Sequence, residues 1–187
     1  MVQTCRKIII NHVYFIASVD EHMKIGIVYY SRTGNTRQVA NILQEKFKEK
    51  KAEVDLIEIE HEKKPGFFKA GRSAMKQQEL PILNADFDME KYNLVVIGSP
   101  TWAGHPTPFV KTFLEKAKNM KGKNVAVFGT GMSPIGVRQQ FMELMKNDVA
   151  QAGATSIDAF LAINFKRGQL TDGQQNIDAF ITSCLKK

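Results

Sequence analysis

Short apolar runs alternate with amphipathic stretches along most of the chain. Several of the runs are bounded by Gly, Ser, Thr or Pro, which is typical of strands buried on both faces. In the stretches that follow them, apolar residues recur three and four positions apart, as on one face of a helix. The strands are predicted at 25–30, 54–59, 94–97, 124–128 and within 155–163, and the main helices at 36–47, from 107, at 137–152 and at 173–185.

This alternation predicts parallel strands joined by right-handed crossovers. We therefore expect a three-layer, doubly wound α/β fold with a five-stranded parallel sheet. Polar and apolar residues are mixed in 54–59, which indicates an edge strand, whereas 94–97 is apolar throughout and is expected near the centre. The 187 residues, of which 43% are hydrophobic, suffice for one such domain.

Two segments depart from the regular pattern. The first, 1–22, has basic residues before three isoleucines, as a signal peptide does, but polar residues interrupt the run and no cleavage site follows. We expect a leader that is disordered or an artefact of start-site choice, before a domain at 23–187; an added strand or helix, or export, are the alternatives. The second, 60–92, lacks a crossover-helix pattern, and we expect one short helix near 70–78 within a long wrapping loop.

Charge and composition exclude several classes of protein. The net charge is +7, from 26 Lys and Arg against 19 Asp and Glu, with the densest part at 111–123. We interpret that part as a solvated helix end, and because no arginine cluster is interleaved with aromatic residues we expect no nucleic-acid partner. The apolar runs are too short to cross a membrane. Two distant cysteines and four scattered histidines predict no metal site and a reducing, cytoplasmic location.

Polar, glycine-rich loops follow three of the predicted strands. In open parallel sheets, ligands bind outside the carboxyl ends of the strands. The loop at 31–36 enters a helix N-terminus, whose free N–H groups and dipole favour an anion, and its hydroxyl and amide side chains add neutral donors. Neither the nucleotide loop G-x-x-x-x-G-K-[ST] nor G-x-G-x-x-G occurs in the sequence. These loops predict a different kind of phosphate site.

The same loops resemble those of the flavodoxin family over about residues 23–187. Residues 31–36 resemble its [ST]-x-T-G-x-T phosphate loop, and 98–104 resembles its isoalloxazine-binding loop. The resemblance implies strand order 2-1-3-4-5, the short form of the fold, and one noncovalent FMN. The residues it implies are Ser31, Arg32, Thr33, Gly34, Asn35 and Thr36 for the phosphate, Pro100, Thr101, Trp102, Ala103, Gly104 and His105 along the ring, and Gly129, Thr130 and Gly131 on the far side.

Some of these side chains have a second interpretation. Trp102 is expected to stack on the cofactor, although it can also be a packing residue. His105 can transfer a proton or cap the helix that begins near residue 107. Arg72 and Lys69 can bind the phosphate of a pyridine nucleotide or lie in a solvated loop. Cys184 is expected to be an inert buried thiol.

The expected function is redox chemistry carried by FMN, since no nucleophile, metal site or acid–base pair is evident. We expect a flavodoxin-like electron carrier whose partner is a redox protein or NAD(P)H. An FMN-dependent NAD(P)H oxidoreductase acting on a quinone or similar acceptor is the alternative, and a non-enzymatic binding module is a third hypothesis. The charge of +7 departs from the acidic character of flavodoxin carriers. The chain is expected to be a monomer or a homodimer.

Overall fold

A computed structural model describes most of the chain. The described residues are 23–62, 66–76, 78–84, 86–131 and 135–186. The expectations for residues 1–22 therefore concern a segment outside the described residues.

A six-stranded sheet forms the middle layer of the fold, in the order β2-β1-β3-β4-β5-β6. The first five strands are parallel, in the predicted order 2-1-3-4-5, and β6 is antiparallel to β5. The strands are β1 (Lys24–Tyr29), β2 (Glu53–Glu58), β3 (Leu94–Pro100), β4 (Asn124–Thr130), β5 (Thr155–Lys166) and β6 (Gln169–Asp172). The fold is flavodoxin-like, as predicted.

Helices cover both faces of this sheet. They are α1 (Asn35–Glu49), α2 (Phe67–Met75), α3 (Pro108–Lys116), α4 (Ile135–Gln151) and α5 (Ile177–Cys184), the last preceded by a 3-10 turn (Gln174–Asn176). On one face, Leu43 of α1 shares a buried cluster with Ile27 of β1. On the other face, Phe113 and Met145 of α3 and α4 share a buried cluster with Val95 of β3. Each such side chain contributes roughly 2 kcal/mol by leaving water.

The central strands are buried on both faces, which explains why their sequences are continuous apolar runs. All residues of β3 before Pro100 are buried, whereas β2 at the sheet edge is only partly covered. These two observations confirm the predicted central and edge positions. In β5, the pairing advances from Ser156 to Phe160 while β4 advances only from Val125 to Val127, so a bulge interrupts an otherwise continuous strand.

The five predicted parallel strands are present, and the sixth, antiparallel strand is an addition that was not predicted. Its sequence holds one apolar residue, Leu170, so it shows no strand periodicity. The strand forms because Lys166 pairs with Gln169 across a two-residue turn, in which Arg167 and Gly168 have φ of 53° and 80°. Two positive φ values in succession give the hairpin turn that matches strand twist.

Among its described residues, the long connection between β2 and β3 contains one short helix, as expected, but this helix begins three residues earlier than the predicted 70–78. Its inner side consists of Ala70, Ser73 and Ala74, each 2% exposed. Within the described part of the chain, no helix combines the length and the apolar character needed to cross a bilayer.

Candidate cofactor site at the carboxyl ends of the strands

The loop between β1 and α1 leads into the first turn of a helix, where the leading backbone N–H groups have no acceptor within the helix. Gly34 precedes the helix with φ of 92°, and a Cβ built there would meet nothing within 4 Å. Ser31 Oγ accepts the N–H of Arg37 at 3.2 Å, so one donor of the first turn is satisfied. The preceding N–H groups, of Asn35 and Thr36, have no acceptor within the helix by their position. No acidic residue lies in this first turn, which leaves a site for an anion.

Thr130 joins the three strand-end loops. Its hydroxyl lies 2.8 Å from the hydroxyl of Thr36 in α1, and both residues are buried. Its carbonyl accepts the N–H of Thr101 at 2.7 Å. The predicted phosphate loop, ring loop and far-side loop therefore meet at one residue, as the topology at the carboxyl ends of β1, β3 and β4 requires.

A tight turn forms the tip of the loop after β3. Trp102 and His105 exchange backbone hydrogen bonds of 2.9 Å in both directions. Between them, Ala103 and Gly104 have φ of 49° and 83°, so the turn is of the type I′ class. Alanine is unusual at positive φ, and it is held there by the paired residues on either side. Ala103 is exposed, so the turn projects one backbone edge outward.

Trp102 is half-buried, with its indole against an aromatic cluster. The ring meets Tyr30 edge-on at a centroid distance of 5.7 Å and Phe109 at 6.2 Å. The guanidinium of Arg32 lies 5.5 Å from the indole centroid, within cation–π range. The indole is thus fixed from the protein side by two rings and attracts the one arginine of the phosphate loop. Both of the interpretations given for Trp102, packing and cofactor stacking, fit this partial burial.

Beneath the indole, Tyr30 and His61 form a pair that the sequence did not reveal. The Tyr30 hydroxyl lies 3.2 Å from His61 Nε2, and the His61 ring stacks on Phe109 with centroids 4.9 Å apart. Burial raises the pKa of Tyr30 to about 12, with Arg32 opposing the shift. The sequence signal was weak, because His61 follows an edge strand at a position where an open loop was expected.

His105 faces a cleft formed by α2, α3 and α4. The cleft is lined by Ala74, Lys111, Asp148 and neighbouring residues. His105 Nδ1 is buried without a hydrogen-bond partner among the described residues, and Nε2 lies 3.5 Å from the side-chain amide nitrogen of Gln140. Burial raises the pKa of Asp148, with Lys111 opposing the shift.

The helix after this loop begins without a side-chain cap. Pro108 occupies the first position of α3, and the side chain of Thr107 before it makes no capping hydrogen bond. Instead, the N–H of Thr107 donates to Ser99 Oγ at 3.0 Å. Ser99 thereby ties the end of β3 to the start of α3 and fixes both ends of the ring loop.

Two glycines on the far side allow close packing around the loops. A Cβ at Gly129 would lie 2.9 Å from the Phe141 ring, and one at Gly131 would lie 3.2 Å from Thr101 Cβ. The N–H of Gly131 donates to the carbonyl of Ile163 at 3.1 Å, which holds the end of β4 to β5. A side chain at residue 129 would therefore force the Phe141 ring to move, and at residue 131 the φ of 145° also favours glycine.

Comparison with protein families identifies the chain. The family described as NADPH-dependent FMN reductase matches residues 23–167. The chain belongs to this family. It is a flavodoxin-like protein that binds FMN.

Individual relatives are similar over part of their length. The chain is 30% identical over 102 residues to an NAD(P)H dehydrogenase (quinone) of Rhodopseudomonas palustris, which covers 54% of this chain and 50% of the relative. It is 26% identical over 125 residues to a flavodoxin of Synechocystis, which covers 65% of this chain and 59% of that protein. The chain therefore spans only part of the length of the curated relatives it matches.

Solved structures share the fold. A flavoprotein in complex with FMN from Lactobacillus acidophilus aligns with a TM-score of 0.61 and 23% identity, over 84% of this chain and 98% of that chain. A flavoprotein from Bacteroides uniformis aligns with a TM-score of 0.66 and 18% identity, over 86% of this chain and 99% of that one. Flavodoxin 1 from Bacillus cereus aligns with a TM-score of 0.54 and 20% identity, over 85% of this chain and 92% of that one.

The residues present fit FMN. The donors around the first turn of α1 are neutral or cationic, the space above Gly34 is open, and a partly exposed indole stands on the neighbouring loop. A dianionic phosphate suits the neutral and cationic donors, and a flat apolar ring suits the partly exposed indole. The assignment of individual residues to phosphate and ring remains the prediction made from the sequence.

Proposed function

We propose that this protein is an NAD(P)H-dependent FMN oxidoreductase that delivers electrons to a small acceptor such as a quinone. When bound, FMN supplies the hydride-accepting and electron-donating chemistry. The residues proposed to hold its phosphate are those of 31–36, and those proposed to support its ring are 100–105 and 129–131. The chain's own part is to bind and orient the cofactor and to attract the coenzyme.

The observation that carries this proposal is the absence of carboxylates from the loops of the site. No Asp or Glu occurs in 31–36, 98–107 or 129–131, and Arg32 lies over the Trp102 ring. NAD(P)H is a polyanion, and a site of this charge favours its approach. The same charge favours the anionic reduced flavin, which suits an enzyme that is reduced by NAD(P)H.

The family match supports the same activity, because the family is described as NADPH-dependent. The printed name of the Rhodopseudomonas relative supports a quinone as the acceptor class. An electron carrier is the second candidate, favoured by the similarity to the Synechocystis flavodoxin. A net charge of +7 is less consistent with a carrier. Flavodoxin carriers are acidic, and acidic surroundings disfavour the anionic reduced flavin.

A steady-state assay separates the two candidates. FMN-loaded protein is mixed with NADPH and a soluble naphthoquinone, and coenzyme oxidation is followed. The proposal expects turnover that saturates in both substrates and disappears in protein stripped of FMN. A carrier would show no turnover with NADPH alone and would become active only after a separate reductase is added.

A further inference from the structure

The outer side of α2 exposes apolar and cationic residues beside the cofactor loops. Phe68 is 97% exposed and Met75 is 62% exposed. Arg72, also exposed, lies between them, four residues after Phe68 and three before Met75. Residues at this spacing are neighbours on one side of a helix. We call Phe68, Arg72 and Met75 the outer stripe.

The helix lies beside the ring loop at Gly71. A Cβ built on Gly71 would lie 3.8 Å from Ala103 Cβ, at the exposed tip of the Trp102–His105 turn. Phe68 lies three residues before Gly71, which is roughly 5 Å along the helix axis. The outer stripe is therefore continuous with the predicted edge of the flavin site.

Arg72 is available to a ligand. Within the described part of the chain, no carboxylate lies within ion-pair distance of its guanidinium. An exposed aromatic ring one turn from an arginine offers stacking to a base and a bidentate donor to a phosphate. These are the two groups that the adenosine end of NADPH carries, whereas NADH lacks the 2′-phosphate.

We infer that the outer stripe recognises the adenosine 2′-phosphate end of NADPH, with Phe68 stacking on the adenine and Arg72 binding the 2′-phosphate. This inference rests on the proposed function and adds the element that selects NADPH over NADH. The nicotinamide end then extends past Gly71 toward the Trp102–His105 turn. A second copy of the chain is a poorer occupant, because two-fold packing of α2 on itself would bring two Arg72 side chains together.

Coenzyme preference tests the inference in the FMN-loaded protein. In Arg72→Gln, the kcat/KM for NADPH is expected to fall about tenfold and that for NADH to stay unchanged, since a charge-assisted bond to phosphate is lost. Arg72→Lys should recover part of the preference for NADPH over NADH. Phe68→Ala should lower the kcat/KM values for both coenzymes by the same factor. The control Lys50→Gln removes one exposed charge at the far end of α1 and should change neither value.

Calorimetric binding of NADP⁺ and NAD⁺ provides a readout that does not depend on turnover. Arg72→Gln should weaken NADP⁺ about tenfold and leave NAD⁺ unchanged. An unaltered NADPH to NADH ratio, or NADP⁺ affinity equal to that of the unaltered protein, would overturn the inference. If NADPH still reduces the flavin in that case, the proposed function stands and only the inference about the outer stripe is wrong. If neither coenzyme reduces the flavin of the unaltered protein, the proposed function is wrong and the calorimetry decides the inference.

Discussion

The hydroxyl groups of Thr36 and Thr130 lie 2.8 Å apart in the interior, and this contact joins the first turn of α1 to the end of β4. The two residues are 94 positions apart in the chain. Neither hydroxyl has access to water, so each depends on the other for a hydrogen bond. The contact aligns the predicted phosphate loop with the loop on the far side of the ring.

Replacement of both threonines should cost less than the sum of the two single replacements. Thr36→Val is expected to lower the free energy of unfolding by about 2 kcal/mol, because the Thr130 hydroxyl is left buried and unpaired. Thr130→Val should behave alike, and the double variant should lose clearly less than the sum of the two. Denaturant unfolding of all four proteins measures this coupling. Strictly additive losses would show that the hydroxyl contact contributes nothing.

An exposed threonine in the same loop tests the phosphate assignment without this structural cost. Thr33 is exposed, so Thr33→Ala should leave the free energy of unfolding nearly unchanged. FMN affinity should fall about tenfold while riboflavin affinity stays constant, because only FMN carries the phosphate. Fluorescence titration with both flavins gives the two affinities. Thr155→Ala, an exposed threonine where β5 begins, is the matched control.

Equal losses for FMN and riboflavin in Thr33→Ala would contradict the phosphate assignment. A loss of the same size in Thr155→Ala would also contradict it. Residue 155 lies at the amino end of β5, whereas the loops of the site follow the carboxyl ends of the strands.

Alkaline pH should destabilise the protein partly through Tyr30. Its pKa is raised from 10.0 to about 12, chiefly by burial, so the native state keeps a proton that the unfolded chain releases. The contribution to stability is complete below pH 10 and is lost as the pH rises toward 12. In Tyr30→Phe, the free energy of unfolding should fall less steeply over this interval. Parallel pH profiles for the two proteins would show that Tyr30 is not responsible.

Alanine substitutions at two glycines near the β5–β6 hairpin distinguish the steric cost of a Cβ from the conformational cost of a positive φ. Gly173 and Gly168 both have positive φ, of 95° and 80°, but only at Gly173 would a Cβ collide with backbone, 2.1 Å from the Ala162 carbonyl oxygen. Gly168→Ala is expected to cost about 1 kcal/mol and Gly173→Ala about 3 kcal/mol or more. Thermal and denaturant unfolding give both values. Equal costs would mean that Gly173 does not pack against Ala162 of β5 as described.

The sequence was sufficient to predict the parts of the fold that rest on strong periodicity. The apolar run at 94–97 predicted a central strand, and the polar residues of 54–59 predicted an edge, because burial on one or two faces leaves a direct trace in composition. The strand-end loops were also predictable, since Gly34 and its hydroxyl-bearing neighbours are typical of a turn that leads into a helix.

The rest depended on contacts between residues distant in the chain. The Tyr30–His61 pair and the Thr36–Thr130 contact follow from the order of the strands, which no local pattern encodes. The strand β6 was missed because Gln169–Asp172 has no alternation and forms only by pairing with β5. The position of α2 beside Ala103 could not be predicted either, since small residues such as Gly71 signal close approach without naming the partner.

Anaerobic mixing of the FMN-loaded protein with NADPH, followed through the visible absorbance of the flavin, tests the central claim most directly. The account predicts that the absorbance bleaches with one NADPH consumed per flavin and recovers when a quinone is added. Flavin that stays yellow with NADPH and NADH, yet bleaches with a chemical reductant, would contradict the proposal that this protein is an NAD(P)H-dependent oxidoreductase.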